Sequence, residues 1–191
     1  VGVDLSVRDD FSTVTYNLYS VDSRSFHSYT DYYFPDGALE KHPNCELYKG
    51  WVKAGYLKLC KGDIIDYQQI VDDILKMANY LCIMGIGYDP YKSAEFVNLL
   101  SSSVGGEADI INPVKQTYGT FTSPVESFEI AIYSNKISFD PNPITPYCFA
   151  NAILDEDRNC NKKPIKKTHN AKIDSTITNL MTFHLFNNLT S

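Results

Sequence analysis

The chain has 191 residues, of which 43% are hydrophobic and 21% charged, and its formal net charge is −6. This composition is typical of a folded protein and excludes an intrinsically disordered chain, while the length suits one well-packed domain. No apolar stretch approaches the roughly 20 residues that span a bilayer, and the acidic balance disfavours a protein that only binds nucleic acid.

The first third of the chain predicts an antiparallel meander. Alternating apolar residues over 1–7 and 12–20 predict two strands, joined by the polar turn RDDFS. A third strand is predicted over SFHSYTDYYF, ending at Phe34, and a short helix from about Asn44 to Ala54. We therefore expect the sheet to begin with three neighbouring antiparallel strands.

The clearest helix of the chain is predicted over DYQQIVDDILKMANYL. Asp66 is placed to cap its N-terminus, and an apolar stripe runs along one face at helical spacing (Ile70, Ile74, Ala78 and Leu81). The apolar run LCIMGIGYDP follows and predicts a buried strand. A helix and a strand in succession favour a parallel part of the sheet after the meander.

The remaining elements continue this alternation. Helices are predicted over SAEFVNLLSSSVGG, where the glycines end the helix, over SPVESFEIAIYSNK, from Pro143 or later, and over IDSTITNLMTFHLF. A short strand is predicted near DIINPVK and a polar hairpin around DEDRNCNKK. The chain is thus expected to form one α/β domain over residues 1–191, with a mixed central sheet flanked by helices.

The five cysteines form no CxxC pair and no zinc-like spacing, so we expect reduced thiols rather than a disulfide framework. The segment NKKPIKKTHNAK contains five lysines and no acid. It predicts a local basic surface on an acidic chain.

Three aspartates lie where predicted elements begin or end. Asp4 interrupts the first strand, Asp89 ends the buried strand and Asp174 begins the last helix, on a face shared with Ile177 and Met181. Taken singly, Asp89 is an ordinary turn residue and Asp174 an ordinary helix cap. Asp4 is harder to explain, because acids are depleted in strands and rarely buried without a partner.

Three carboxylates brought together repel one another unless a positive charge lies between them. Divalent cations fit this place, because aspartate oxygens are hard ligands that suit Mg²⁺ or Mn²⁺. Two such ions about 4 Å apart can hold the attacking and leaving oxygens of a phosphodiester.

Beyond these patterns, the sequence resembles a known family over essentially its whole length. Five motifs carry the resemblance, and they occur in this order: GVDLS at the start, W…G…L…G…IDY, YDP, NP…N and the closing KID. Together they resemble the C-terminal nuclease domain of the terminase large subunit of tailed bacteriophages. The resemblance implies a ribonuclease H-like fold and metal-dependent cleavage of concatemeric double-stranded viral DNA during genome packaging. The family's three metal-binding acids fall on Asp4, Asp89 and Asp174, which implies a site for two Mg²⁺ or Mn²⁺ ions.

The resemblance also gives the basic segment a possible role. Its hairpin directly precedes Asp174, so it is placed either to contact DNA phosphates or to remain a solvated surface, and both interpretations stay open (Lys162, Lys163, Lys166, Lys167 and His169). No GxxxxGK[ST] motif occurs, and the chain begins at Val1 directly in strand-like residues. We therefore expect the family's ATPase motor upstream of this domain.

The resemblance also implies partners and a location for the full protein. It implies the portal and the small terminase subunit as partners of the full protein, a monomeric isolated domain, no membrane association, and a location at the procapsid portal in the host cytoplasm. Three alternatives remain: a resolvase- or transposase-like nuclease of the same superfamily, an actin- or sugar-kinase-like ATPase half, and a binding domain without activity. The last would leave Asp4 unexplained.

Overall fold

The computed structural model describes residues 1–91, 93–104 and 109–190. Within these ranges, a seven-stranded mixed sheet has the order β4-β3-β2-β1-β5-β6, with β7 paired to β3, and β8 and β9 form a separate hairpin. The strands are β1 (Gly2–Asp4), β2 (Ser12–Ser20), β3 (Ser25–Pro35), β4 (Lys58–Cys60), β5 (Ile86–Tyr88), β6 (Ile111–Pro113), β7 (Ile137–Phe139), β8 (Ala152–Glu156) and β9 (Lys162–Lys166). The helices are α1 (Asp36–Leu39), α2 (Cys45–Lys53), α3 (Tyr67–Ala78), α4 (Ala94–Val104), α5 (Tyr118–Tyr133), α6 (Ile144–Ala150) and α7 (Asp174–Leu189).

The predicted order of an antiparallel meander followed by parallel strands is confirmed. β1 pairs antiparallel with β2, and β2 pairs antiparallel with β3. On its other side β1 pairs in parallel with β5, which in turn pairs in parallel with β6. β1 is therefore a central strand, joining the two parts of the sheet.

Several element bounds differ from the predictions. β1 ends at Asp4 rather than at residue 7, and β5 covers only Ile86–Tyr88 of the predicted buried strand, whose Cys82 and Met84 are exposed. α5 begins at Tyr118, five residues before the predicted start, because the Thr117 side chain caps it and Pro124 is accommodated inside the helix. α1, β4 and β7 were not predicted. The glycines expected to end α4 lie outside the described residues.

The predicted cap of α3 is confirmed, and two further findings concern the cysteines and the helices. The Asp66 carboxylate accepts hydrogen bonds from the backbone amides of Gln68 and Gln69, which caps α3 as expected. All five cysteines lie within the described residues and are free. None of the helices in the described part of the chain is long and apolar enough to cross a membrane.

The two faces of the sheet are covered by different helices. Val14 and Tyr16 of β2 are buried with residues of α3 and α4. Thr15 lies between them and therefore points to the opposite face, where its hydroxyl is 2.6 Å from that of Thr178 in α7. A second apolar cluster joins α5 and α7 on this face. A third cluster, half of whose buried residues are aromatic, includes Trp51 of α2.

Hydrogen bonds, as well as apolar contacts, hold α7 against the sheet. We call the pairs Thr15–Thr178, Asn17–Thr182 and Ser28–Asn179 the polar seam; their side chains are 2.6, 3.0 and 2.7 Å apart. At one end of the seam, Gly2 of β1 lies against the Thr178 carbonyl group so closely that a side chain there would collide with it. The helix thus packs directly on β1.

Candidate functional site

Asp4 and Asp89 lie side by side at the carboxyl edge of the sheet. Asp4 is the last residue of β1, and Asp89 directly follows β5. The two strands are parallel, with Val3 opposite Tyr88, so the next residue of each strand emerges at the same edge. This edge is where ligands bind in open α/β sheets.

Asp174 reaches the same region from α7. It is the first residue of that helix and is buried, with 6% of its surface exposed. Ile173, and not Asp174, occupies the N-cap position, and no side chain caps the helix. The Oδ2 atom of Asp174 is buried without a hydrogen-bond partner, so the interpretation of Asp174 as an ordinary helix cap is wrong. By contrast, Asp89 does form the expected turn, since its Oδ1 accepts from the Tyr91 amide at 2.9 Å.

A cleft of about 390 Å³ opens at this edge of the sheet. Asp4 and Asp174 line it together with residues of the β1–β2 turn, of the β6–α5 loop and of β9. The polar side chains among them are Ser6, Arg8, Asp9, Asp10, Tyr91, Gln116 and Lys166. Asp89 borders the cleft through its contact with Gln116.

The electrostatics of the cleft reflect crowded negative charge. Burial raises the pKa of Asp4 well above its usual range, and the charges of Asp174 and Asp89 raise it further. The pKa of Asp174 is also raised, first by burial and then by the charge of Asp10. The group therefore favours a bound proton or a cation over three free carboxylates.

Asp10 is a fourth carboxylate at this site, and two lysines neutralise it. The buried Lys172 forms an ion pair with Asp10 Oδ1 and donates to the Asp9 carbonyl at 2.6 Å, while Lys166 Nζ lies 3.1 Å from Asp10 Oδ2. Burial acts to raise the pKa of Asp10, but the hydrogen bonds and charges of Lys172 and Lys166 outweigh it and lower the pKa. The sequence analysis missed this pair, because Asp10 belongs to a polar turn and Lys172 to a basic segment.

Gln116 was also missed. Its Nε2 donates to Asp89 Oδ2 at 2.7 Å and reaches Asp4 Oδ1 at 3.5 Å, the outer limit of a hydrogen bond. One uncharged amide therefore lies between two of the three predicted acids. An amide has no charge and no spacing rule, so the sequence contains no signal that would have identified it.

The predicted DNA-binding residues are placed in and after the β8–β9 hairpin. Lys166 lines the cleft, and the ammonium group of Lys163 lies 4.5 Å from the centre of the Tyr118 ring. Lys162 is partly buried, and its backbone amide donates to the Thr122 hydroxyl. Lys167 and His169 are exposed, and His169 contacts the neighbouring Asn170 at 3.1 Å. Of the five residues, only Lys166 lines the cleft.

The donor atoms of the three acids suit divalent cations. All three predicted acids offer hard oxygen ligands, and the unpartnered Asp174 Oδ2 is a buried acceptor without a donor. Yet among the described residues no three His, Cys, Asp or Glu side chains stand in an arrangement that could hold a metal ion. The three acids therefore offer suitable ligand atoms but do not form a ready-made metal site in this arrangement.

Comparison with known proteins places this chain in a family. The family described as "Terminase large subunit, endonuclease domain" matches residues 1–188. Protein YmfN of Escherichia coli (strain K12) is 28% identical over 173 residues, which cover 86% of this chain and 36% of YmfN. The chain thus spans little more than a third of the length of that relative.

Solved structures show the same fold. The large terminase of bacteriophage HK97 superposes with a TM-score of 0.85 at 20% identity, over 96% of this chain and 38% of that one. The large terminase nuclease of the thermophilic phage G20c gives 0.60 at 7% identity, covering 95% and 78% of the two chains. The g2p nuclease domain of bacteriophage SPP1, crystallised with bound Mn, gives 0.54 at 12% identity, covering 98% and 84%.

These likenesses confirm the ribonuclease H-like fold expected from the sequence. The family match extends from the first strand to the last helix and so includes every element that carries a predicted acid. It also favours the terminase interpretation over the resolvase-like and ATPase-like alternatives. The chain belongs to the family of terminase large subunit endonuclease domains.

Proposed function

We propose that this domain is a metal-dependent endonuclease that cuts concatemeric double-stranded viral DNA during genome packaging. The observation that carries the proposal is that Asp4, at the end of β1, and Asp174, at the start of α7, line one cleft, which Asp89 borders through its contact with Gln116. The unpartnered Asp174 oxygen and the raised pKa of Asp4 support a cation there. Family membership supports the nuclease activity.

Each acid has a proposed role as a ligand. Asp4, on the central strand, would help to hold both of two divalent cations, Mg²⁺ or Mn²⁺, and Asp89 and Asp174 would each help to hold one of them. When bound, such ions supply an activated water and neutralise charge on the leaving 3′ oxygen. The chain itself orients the ligands, because β1 holds Asp4 within the sheet and the polar seam holds the helix that carries Asp174.

The lysines have a second proposed role, in binding DNA. Lys166 lines the cleft beside Asp10, so its charge lies next to the place where a scissile phosphate would enter. Lys162, Lys163, Lys167 and His169 extend basic and polar groups from the cleft along the hairpin and the segment after it. These side chains would hold the duplex by its phosphates without reading its sequence.

The setting of the full protein is likewise proposed. We propose that residues 1–191 form a single nuclease domain that is monomeric in isolation and follows an ATPase motor in the complete subunit. The portal and the small terminase subunit would be its partners, at the procapsid in the host cytoplasm. The motor would move the DNA that this domain cuts.

The test is cleavage of supercoiled plasmid with Mn²⁺, Mg²⁺, Ca²⁺ or EDTA. Wild type is expected to nick and linearise plasmid with Mn²⁺ or Mg²⁺ only. Asp4→Asn, Asp89→Asn and Asp174→Asn are each expected to lower the rate at least about 100-fold, because metal sites lose about that much even when outer-shell partners are removed. Asp22→Asn, in the exposed β2–β3 turn, is the matched control and should cleave like wild type.

Folding of the three variants is checked by thermal unfolding in EDTA. Each should melt at or above the wild-type temperature, because removing one charge relieves repulsion in the cleft. Cleavage that survives all three single substitutions would contradict the site. A wild type that cuts under no metal, although it is folded, would argue against activity of the isolated domain.

A further inference from the structure

Gln116 occupies the gap between Asp4 and Asp89. Its Nε2 carries two hydrogens, and one amide nitrogen can therefore donate to both carboxylates. Two carboxylates at neighbouring strand ends repel each other, and a shared donor lowers that repulsion without introducing a charge. The amide thus lowers the repulsion between the two carboxylates in part, whereas a cation between the same oxygens would neutralise their charge.

Hydrogen bonds hold the backbone on both sides of Gln116, while its side chain lies at the cleft. On one side, the Val114 amide donates to the Tyr88 carbonyl at 2.7 Å and continues the β5–β6 pairing. On the other side, Thr117 caps α5 through its hydroxyl, which accepts from the Thr120 amide at 3.2 Å. The Gln116 side chain itself is partly exposed and faces the cleft of about 390 Å³, so it has space to swing away.

The Gln116 amide nitrogen lies between Asp4 Oδ1 and Asp89 Oδ2, so a cation that bound both oxygens from this gap would compete with the amide for the same space. The Gln116 donor points at Asp89 Oδ2 and Asp4 Oδ1, which are two of the oxygens that the proposed ligand set requires. Placing a cation in this gap therefore requires the amide to move away.

We propose that Gln116 is a positioning residue that holds Asp4 and Asp89 in a cation-free arrangement and is displaced when a divalent cation binds. The inference rests on the proposed function, since it assumes that these acids are cation ligands. In addition, the Gln116 side chain makes the affinity of the cleft for cations lower than the three carboxylates alone would give. The cleft binds its ions in competition with one of its own side chains.

The experiment measures the Kd for Mn²⁺ by titration calorimetry, without DNA, at fixed pH and ionic strength. Gln116→Met keeps the side-chain length and removes the donor, and Gln116→Ala is a second variant in case the longer side chain packs differently. Both are expected to bind Mn²⁺ about tenfold more tightly than wild type, the factor that one charge-assisted hydrogen bond contributes. In EDTA, both should melt below wild type, because the two acids lose their shared donor.

The matched control is Gln68→Ala. The Gln68 amide also donates to a carboxylate, Asp72 Oδ1 at 2.8 Å, but on the exposed surface of α3. Its Kd for Mn²⁺ should equal that of wild type. If wild type binds Mn²⁺ and the Gln116 variants bind it equally or more weakly, the positioning role is refuted while the proposed function stands; if wild type binds no Mn²⁺, both fall.

Discussion

A partly buried ion-pair network that joins α3 to the sheet shows how single residues contribute to this domain. Lys58 Nζ lies 3.0 Å from Asp31 Oδ1 and 2.9 Å from Asp73 Oδ2, and the hydroxyl of Tyr33 donates to the same Asp73 oxygen. Burial acts to raise the pKa of Asp73, but the hydrogen bonds from Lys58, Lys76 and Tyr33 outweigh it and lower the pKa. The network therefore stabilises the fold only while Asp73 is ionised.

Asp73→Asn should lower the free energy of unfolding by about 1 kcal/mol at pH 7, the usual contribution of a hydrogen-bonded charge pair of this exposure. A lowered pKa in the folded state gives stability that is present above the ordinary value of about 3.9 and is lost as the pH falls through the lowered pKa. The deficit of the variant should therefore shrink as the pH falls from 7 to about 2.5, measured by urea unfolding. Asp72→Asn, exposed on the same helix, should show no such change; a constant Asp73→Asn deficit at all pH values would contradict the argument.

Among the residues of the cleft, charge and position made some predictable and others not. Asp4 was singled out because a carboxylate is rare in a strand, and the structure places it at the cleft. Asp174 lies there too, although its sequence position also fitted a helix cap. Gln116 and Asp10 depend on contacts across more than 100 residues, and no local pattern predicts such contacts.

At the scale of elements, the close approach of β1 and α7 is the contact that brings Asp4 and Asp174 together. Gly2→Ala would place a methyl group against the Thr178 carbonyl group, which is backbone and cannot move aside alone. The helix would have to shift away from β1, at a cost of about 1–3 kcal/mol for overpacking. We expect the free energy of unfolding to fall by that amount, and plasmid cleavage to fall with it as Asp174 moves from Asp4.

The matched control is Gly50→Ala, inside α2. A methyl group there would meet no atom within 4 Å. Alanine should raise the free energy of unfolding by up to about 1 kcal/mol, because glycine is a poor helix former. Gly2→Ala that unfolds and cleaves like wild type would show that α7 does not depend on this contact.

Elements with strong periodicity were predicted well, and short or interrupted ones were not. The stripe and cap of α3 gave its start to within one residue, since Asp66 caps a helix that begins at Tyr67. The predicted start of α5 at Ser123 came five residues late, because Pro124 is typical of a first helical turn, yet here it lies inside a helix that packs on α7. β4 and β7 have only three residues each and are defined by pairing with β3, which a single sequence does not show.

On the scale of the whole molecule, an acidic protein must bind a polyanion through a local basic surface. Replacing Lys163 and Lys167 by Gln removes two charges from the proposed DNA surface without touching the cleft lining. We expect weaker binding to a linear duplex in EDTA, and a slope of log K against log salt that is smaller by about 2, one unit per lost phosphate contact.

Lys41→Gln with Lys61→Gln removes the same net charge from exposed positions near α1 and β4 and is the control. It should leave the salt slope at the wild-type value. Equal slopes for both double variants would mean that the hairpin is only a solvated surface.

The overall arrangement of the chain was easier to predict than its details. The alternation of patterns fixed the class of fold, a mixed sheet with a meander followed by parallel strands, because hydrophobic periodicity over whole elements sums many weak preferences. The relative placement of the hairpin, α7 and the sheet depends instead on contacts between distant segments. The shape of the cleft could therefore not be predicted from the sequence.

The polar seam also fixes the register of α7 on the sheet, and with it the position of Asp174. Apolar contacts are non-directional and would let α7 slide, but the three pairs of the seam meet only when the helix is in one register (Thr15–Thr178, Asn17–Thr182 and Ser28–Asn179). A slide by one turn, about 5.4 Å, would break all three and leave buried polar groups without partners. The helix therefore has a single packing register on the sheet. On heating, Asp174 should keep its position until the helix leaves the sheet altogether.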